Sequence, residues 1–380
     1  MISKILSEDN PPTHPTNATP DQAIFPLEEG DEASDDQLLS DEYYERHDIR
    51  VDARQSLVRL DKYLMDRLGN RTRNRVQQAI RAGSVLVDDK EVKPNYKVKP
   101  GNHISIVLPR NMEDAYDISA QDIPLTVVYE DDDVMVINKP ANLAVHPGVG
   151  IPSGTLVNAV AWHLRNQQLD LPVKEGNEQE RAGIVHRIDK DTTGLMVVAK
   201  NEYAMAHLAR QFFNHTIERR YWALVWGDPD QDSGTIHGHI GRNPNDRKLF
   251  MVFPEGEQGK HAITHWRVIE RFYYVSLVEC RLETGRTHQI RVHMKYAGHT
   301  LFGDPRYGGN RILKGTLYSK YQQFVDQQLA RLPRQALHAK VLGFVHPTTG
   351  EHLRFESGLP DDMQQVVDAW REYVHQRKTM

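Results

Sequence analysis

The chain opens its periodic pattern at residues 57–68, where Leu60, Tyr63, Leu64 and Leu68 recur at helical intervals and Gly69-Asn70 stops the run. A second amphipathic helix is predicted over 73–82. Val76 and Ile80 share one face, Arg73, Arg75 and Arg81 lie largely elsewhere, and Gly83 stands where a left-handed C-terminal residue belongs. Short β-type runs follow at 85–87, at Val98 and at 104–107, separated by the turn signals Asp88-Asp89 and Pro100-Gly101. Two short helices and a small hairpin make a module of its own.

A polar linker over 110–124 leads into a longer segment of different pattern. Apolar runs at 125–129 and 134–138 flank Glu130-Asp131-Asp132-Asp133 and predict a hairpin. A helix is expected over 155–164 with Thr155 as cap. Another is expected over 201–215, with Asn201 as cap and Met205, Leu208 and Phe212 inward. Strands are expected at 196–200, 221–226, 235–240, 262–269 and 275–282, and residues 165–180 read as a polar loop. A last helix starts with Thr287 as cap, turns Ile290, Met294 and Ala297 to the core and ends at Gly298. Strands outnumber helices without a long strand–helix alternation, so the expected class is α+β with a mostly antiparallel sheet. No internal repeat is found.

Length and charge change this picture in three ways. At 380 residues the chain suits two or three domains. No apolar run approaches the ~18 residues of a membrane span, and the opening MISKILSEDNPP lacks the apolar stretch of a secretory signal. With Cys280 as its one cysteine, a disulfide framework is excluded and a reducing, cytoplasmic location is expected. Charge is uneven. Residues 1–47 hold 12 acidic and two basic residues, with five prolines and few large apolar ones, and are expected to be a disordered arm. It is either a solubilising tail or a mimic of RNA. Residues 54–110 hold 13 basic and five acidic residues, a local excess that suits a polyanion partner.

Four polar islands could carry chemistry. In Gly183–Leu195, G-I-V-H-R-I-D-K-D-T-T-G-L, the Asp189 carboxylate is flanked by Arg187 and Lys190, whose charges favour its ionised form. An ionised carboxylate serves as nucleophile or base; the same turn could also be a plain strand connection. In the second island, E-T-G-R-T-H-Q-I-R-V-H-M from Glu283, Arg286 stands at a strand–helix junction. A guanidinium and a helix N-terminus together attract an anion there, unless Arg286 serves a structural ion pair. His288 and His293 are five apart, and His261 and His265 lie in a strand-like run, so no metal site is expected. The third island is Arg219-Arg220-Tyr221, with Tyr221, Ala223 and Val225 on one strand face. The fourth comprises Lys139-Pro140 and His146-Pro147-Gly148.

Taken in order, these islands resemble the RluA family of pseudouridine synthases. The matching stretches are N-K-P at 138–140, H-R-I-D-K-D-T-T-G-L, R-R-Y ending at Tyr221, G-R-T-H-Q-I-R-V-H at 285–293, G-D-P-R-Y-G-G at 303–309 and L-H-A at 337–339. Ile188 stands where the family usually has leucine. The basic module, through A-G-S-V-L-V-D-D-K-E-V and P-G-N-H-I-S-I, resembles an S4 RNA-binding domain. An S4 domain in front, and H-P-G-V-G at 146–150, look like the RluD branch, which modifies large-subunit ribosomal RNA near helix 69.

The resemblance implies an α+β pseudouridine synthase fold, a mostly antiparallel mixed sheet over 125–372, behind a small S4 domain over 54–110 and the acidic arm of 1–47. It implies Asp189 as the catalytic aspartate, Tyr221 packed on the base and Arg286 paired with Asp189, Arg291 being the second choice for that pairing. Arg187 would fill the space of the displaced base, with His186, Lys190 and Thr192 nearby. Arg59, Arg71, Arg73, Arg75 and Arg81 would hold RNA. The isomerisation involves neither redox chemistry nor hydrolysis, so no cofactor is expected. The expected partner is ribosomal RNA or a large-subunit precursor particle, met by a monomer. The rival functions are a synthase for transfer RNA or other ribosomal sites, and a non-catalytic ribosome-assembly factor.

Overall fold

A computed structural model describes residues 44–69, 72–109, 119–148, 150–165, 173–174, 177–180, 183–316 and 318–378. The acidic arm up to residue 43 and Arg71 lie outside them.

The basic module contains β1 (Tyr44–Arg50), β2 (Val58–Arg59), α1 (Leu60–Met65), α2 (Arg73–Arg81), β3 (Val85–Val87), β4 (Lys90–Glu91), β5 (Lys97–Val98) and β6 (His103–Pro109). Its sheet runs β1-β6-β3-β4, and Leu60, Leu64, Val76, Ile80, Val85, Ile104 and Ile106 form its core. The Thr72 hydroxyl accepts from the Arg75 amide and starts α2 where the pattern places it. Two boundaries differ from the sequence reading. The first helix starts at Leu60 rather than residue 57, because Val58 and Arg59 are drawn into a ladder with Val98 and Lys97. The arm was expected to reach residue 47, yet Tyr44–His47 belong to β1. That strand pairs along β6 with His47 opposite Ile106 and Ile49 opposite Ile104, and it packs Ile49 against the module's core.

The larger unit contains β7 (Val127–Glu130), β8 (Val134–Lys139), α3 (Leu156–Arg165), β9 (Val173–Lys174), β10 (Asn177–Glu180), β11 (Thr193–Ala199), α4 (Glu202–Phe213), β12 (Glu218–Trp226), β13 (Ser233–Asn243), β14 (Asp246–Phe253), β15 (Lys260–Arg271), β16 (Val275–Leu282), α5 (Gln289–Tyr296), α6 (Ser319–Arg331), β17 (Leu337–Val345), β18 (His352–Glu356) and α7 (Asp361–Lys378). Ten strands form one sheet in the order β14-β13-β15-β16-β12-β17-β11-β8-β7, with β18 added beside β17. Every pairing in it is antiparallel except β11 with β17. The fold is therefore α+β with a mostly antiparallel mixed sheet. Gly194 allows the one parallel contact: its φ is +118°, and a Cβ there would lie 2.3 Å from the Ala339 carbonyl oxygen.

The reading of residues 275–282 as a strand and of Asn201 as a helix cap matches the structure; Asn201 Oδ1 accepts from the Ala204 amide. Residues beyond 298, assigned no elements from pattern, supply α6, β17, β18 and α7, and β14 is also additional. Helix α4 carries two apolar faces. Ala204, Leu208 and Phe212 pack on the large sheet, while Ala206 and Tyr203 pack into the core of the basic module. The two units are thus docked through α4. The Ser84 hydroxyl donates to the Ala206 carbonyl at 3.0 Å, and Arg210 donates to the Ala82 carbonyl and to Glu91.

Candidate active site

The segment that carries Asp189 crosses between the core and β11, and it is fixed from behind. Lys139, at the end of β8, is fully buried, and its ammonium donates to the carbonyls of Pro140, Leu143 and Lys190 at 2.8 Å each. Burial pushes this amine down to about 7. Asp191 and Asp189 oppose that push, and three carbonyls matched to three N–H donors favour the ammonium form. Arg334 donates to the Asp191 carbonyl at 3.0 Å and is itself held by Asp362 through two bonds of 2.8 Å. The Thr192 amide closes the turn on the Asp189 carbonyl at 3.0 Å. With the backbone gripped on both sides, the Asp189 side chain faces a cleft.

Asp189 lies in that cleft with Arg187, Ile188, Tyr221, Leu282, Arg286, His288 and Arg291 around it. Arg291 Nη1 donates to Asp189 Oδ2 at 2.8 Å. The rest of the same guanidinium forks onto Asp304, Nε to Oδ2 at 2.7 Å and Nη2 to Oδ1 at 3.0 Å. Asp304 is fully buried and also accepts from the amides of Arg306 and Tyr307. The G-D-P-R-Y-G-G stretch thus builds a rigid seat for Arg291.

Burial opposes ionisation of Asp189. His288, the Arg291 charge with its hydrogen bond, and Arg187 outweigh it and hold the carboxyl well below its ordinary range. His288, 4.0 Å from Asp189, is itself driven towards its neutral form by burial and by Arg291, which leaves Arg291 as the permanent cation against the carboxylate. Arg291, although buried, has its own proton held more tightly than usual by Asp304 and Asp189. His288 also pairs with the Tyr307 hydroxyl at 2.8 Å, and Tyr307 turns its ring under Arg291.

Arg286 was expected to pair with Asp189; the structure gives that place to Arg291. The reason is the helix start. Backbone at His288 is left-handed, with φ +54°, and α5 begins at Gln289 rather than after a Thr287 cap. Arg291 therefore sits in the first turn, facing Asp189, while Arg286 Nε donates to the His261 carbonyl on the cleft rim. The Gln289 side chain locks this start by accepting from the Arg286 amide and donating to the Ile263 carbonyl.

The remaining expected residues divide. Tyr221 lies on β12 opposite Cys280 and Ala339, lines the cleft and is kept protonated by burial. Arg187 is exposed on the cleft wall. His186 and Thr192 both belong to the cleft lining, each as a buried residue whose polar atoms are engaged within the protein. His186 accepts from the Val197 amide at 3.0 Å, stacks on Phe212 and is pushed down to about 3 by burial. The Thr192 hydroxyl accepts from Gln335. Lys190 serves the site through its carbonyl; its half-buried side chain is not among the cleft-lining residues.

In the basic module, Arg59 and Arg73 are both tethered to the buried carboxylate of Asp61, which Gln77 also reaches; Arg73 stays largely exposed and Arg59 partly so. Arg81 is exposed. Arg75 departs from the expected RNA-holding set: it is buried, 3.6 Å from Glu202 of α4, and belongs to the junction between the units. Lys139, His288, Asp304 and Tyr307 were visible only as members of motifs. Among the described residues no group of three or more His, Cys, Asp or Glu is placed to hold a metal. No helix among them is long and apolar enough to cross a membrane.

Comparison with known proteins gives the family. The family described as RNA pseudouridylate synthase matches residues 133–296, and the S4 domain family matches residues 58–104. An uncharacterized RNA pseudouridine synthase of Chlorobaculum parvum is 48% identical over 319 residues, 83% of this chain and 95% of that protein. The ribosomal large subunit pseudouridine synthase D of Vibrio vulnificus is 44% identical over 315 residues, 82% of this chain and 91% of that protein. Among solved structures, human RNA Pseudouridylate Synthase Domain Containing 4 aligns with a TM-score of 0.50 at 25% identity, covering 65% of this chain and 93% of that one.

Proposed function

The chain belongs to the RNA pseudouridine synthase family, and from that premise we propose that it isomerises uridine to pseudouridine in large-subunit ribosomal RNA, in the helix 69 region. The observation that carries the catalytic assignment is the Asp189 carboxylate, presented to a cleft and kept ionised by a guanidinium that Asp304 holds in place. The target atoms N1 and C1′ are inaccessible in stacked RNA, so the nucleotide leaves the stack at a cost of a few kcal/mol. Arg187, exposed on the cleft wall, would then fill the vacated space.

With uridine in the cleft, Asp189 promotes cleavage of the N1–C1′ bond, either as nucleophile at C1′ or as base at C2′. The freed uracil turns on the Tyr221 face, C5 bonds to C1′, and the C5 proton leaves as N1 gains one. Product and substrate have the same composition. Arg291 holds the carboxylate charged and aimed; Lys139 and Arg334 fix the backbone that bears it.

The test is incubation with unmodified large-subunit ribosomal RNA, followed by carbodiimide labelling and primer extension, with Asp189→Ala alongside. Stops in the helix 69 loop that vanish with the variant are the expected result. Stops elsewhere would keep the chemistry and overturn the target. No stops on ribosomal or transfer RNA, together with normal ribosome maturation in an Asp189→Ala strain, would leave only the RNA-binding assembly role.

A further inference from the structure

One buried cation in the same cleft has no partner that accounts for it. Arg219 is only 9% exposed, yet among the described residues it has no carboxylate partner. Its contacts are a long bond to the Glu283 carbonyl, 3.4 Å, and the Phe212 ring at 5.6 Å; its Nε has no acceptor. The next residue shows the contrast. Arg220, on the opposite strand face, is satisfied by Glu218 and Glu279. A guanidinium removed from water without a counter-ion costs stability, and such a cost is retained where a ligand supplies the anion.

The surroundings fit a particular anion. Arg219 and Tyr221 are on the same face of β12, about 7 Å apart along the strand. That separation sets the guanidinium one nucleotide step from a base lying on Tyr221. Gly285 leaves the approach open, since a Cβ there would lie 3.0 Å from Arg219 Nη1. Tyr44, the first residue of β1, lines the same wall with His215 and Arg286. The basic module therefore reaches into the catalytic cleft beside Arg219.

We propose that Arg219 is the seat of a backbone phosphodiester of the RNA next to the reactive uridine, with Tyr44 of the S4-like module closing that seat from the side. This rests on the reading of the cleft as the pseudouridylation site. A guanidinium fork matches two phosphate oxygens, which a lysine ammonium does not. Arg219 touches the backbone and not the isomerising base, so it acts through binding.

The probe is an unmodified transcript of the helix 69 stem-loop, bound to the full chain carrying Asp189→Asn to prevent turnover, between roughly 50 and 200 mM salt. Arg219→Gln is expected to lower affinity about tenfold and to reduce the slope of log affinity against log salt by about one. Arg219→Lys should keep the slope while losing affinity. In otherwise unmutated protein, Arg219→Gln should raise KM far more than it lowers kcat. A slope equal to that of the parent protein, or a fall in kcat at constant KM, would overturn the proposal. Should Arg219→Gln fail to fold, the parent protein is offered the stem-loop with neutral methylphosphonates on either side of the reactive uridine. Roughly tenfold weaker binding is expected, and unchanged binding overturns the proposal. Absence of pseudouridine with parent protein and native transcript would instead overturn the reading of the cleft, which these binding measurements do not need.

Discussion

At the scale of single residues, the cleft depends on one carboxylate whose charge is set by a neighbour rather than by solvent. Because the folded Asp189 carboxyl is held below its ordinary value of 3.8, its pairing stabilises the protein above that value and is lost as pH falls through the lower folded one. Turnover should therefore be insensitive to carboxyl protonation down to about pH 5. Arg291→Gln removes the permanent cation and its hydrogen bond and leaves only His288 and Arg187 against burial, so the carboxyl should titrate higher, and the variant should be slower and should acquire an acidic limb in its single-turnover pH profile. A flat profile in that variant would sink the assignment of Arg291 as the charge-setting partner. Lys139→Met removes three bonds from one buried ammonium and leaves three carbonyls without it. The expected loss is about 3 kcal/mol of stability, read by urea unfolding, together with reduced kcat. That Asp189 and Tyr221 share one cleft was legible because each stands in a motif of its own. The choice between Arg286 and Arg291 was not, because it turns on a left-handed residue at His288 that moves the helix start by one position.

At the scale of elements, α4 has two faces to cover, and its sequence pattern revealed only one. Met205, Leu208 and Phe212 were expected inside and are buried. Ala206 and Tyr203, on the other side, are small or amphipathic, and nothing in their spacing shows that a second unit packs there. The same junction absorbs Arg75, which reads in sequence as one more arginine of a basic helix. Ala206→Arg should wedge the S4-like module off α4. Overpacking of this kind costs roughly 1–3 kcal/mol. Calorimetry should then show an earlier, separate transition for the module, and KM for structured RNA should rise. A single transition at the unaltered temperature would mean the docking contributes nothing to the module's stability. Strands β3, β5 and β6 of the basic module were readable from short β-branched runs between turn residues, whereas β1, β2 and β4 were not. The late strands were not either, because β17 takes its place between β11 and β12, far away in sequence, and β18 adds to the sheet only through β17.

At the scale of the whole molecule, charge and connectivity meet at one place. Residues 1–47 carry a net charge of −10 and residues 54–110 one of +8. Strand β1 attaches the acidic stretch to the chain at Tyr44, which lines the catalytic cleft. Whatever the conformation of residues 1–43, their charges are tethered beside the surface that RNA must approach. A tethered polyanion lowers the local attraction for another polyanion, and the effect fades as salt shortens the Debye length from about 10 Å at 0.1 M to about 3 Å at 1 M. Removal of residues 1–43 should therefore strengthen binding of nonspecific single-stranded RNA several-fold at low ionic strength, steepen its salt dependence and leave high-salt affinity alone. Retention of Tyr44 in the truncated chain is essential, since loss of β1 would also remove part of the cleft wall. Identical affinities of the full and shortened chains across the salt series would reduce the acidic stretch to a solubilising tail. A uniform shift at every salt concentration would point to displaced contacts of the arm rather than to its field.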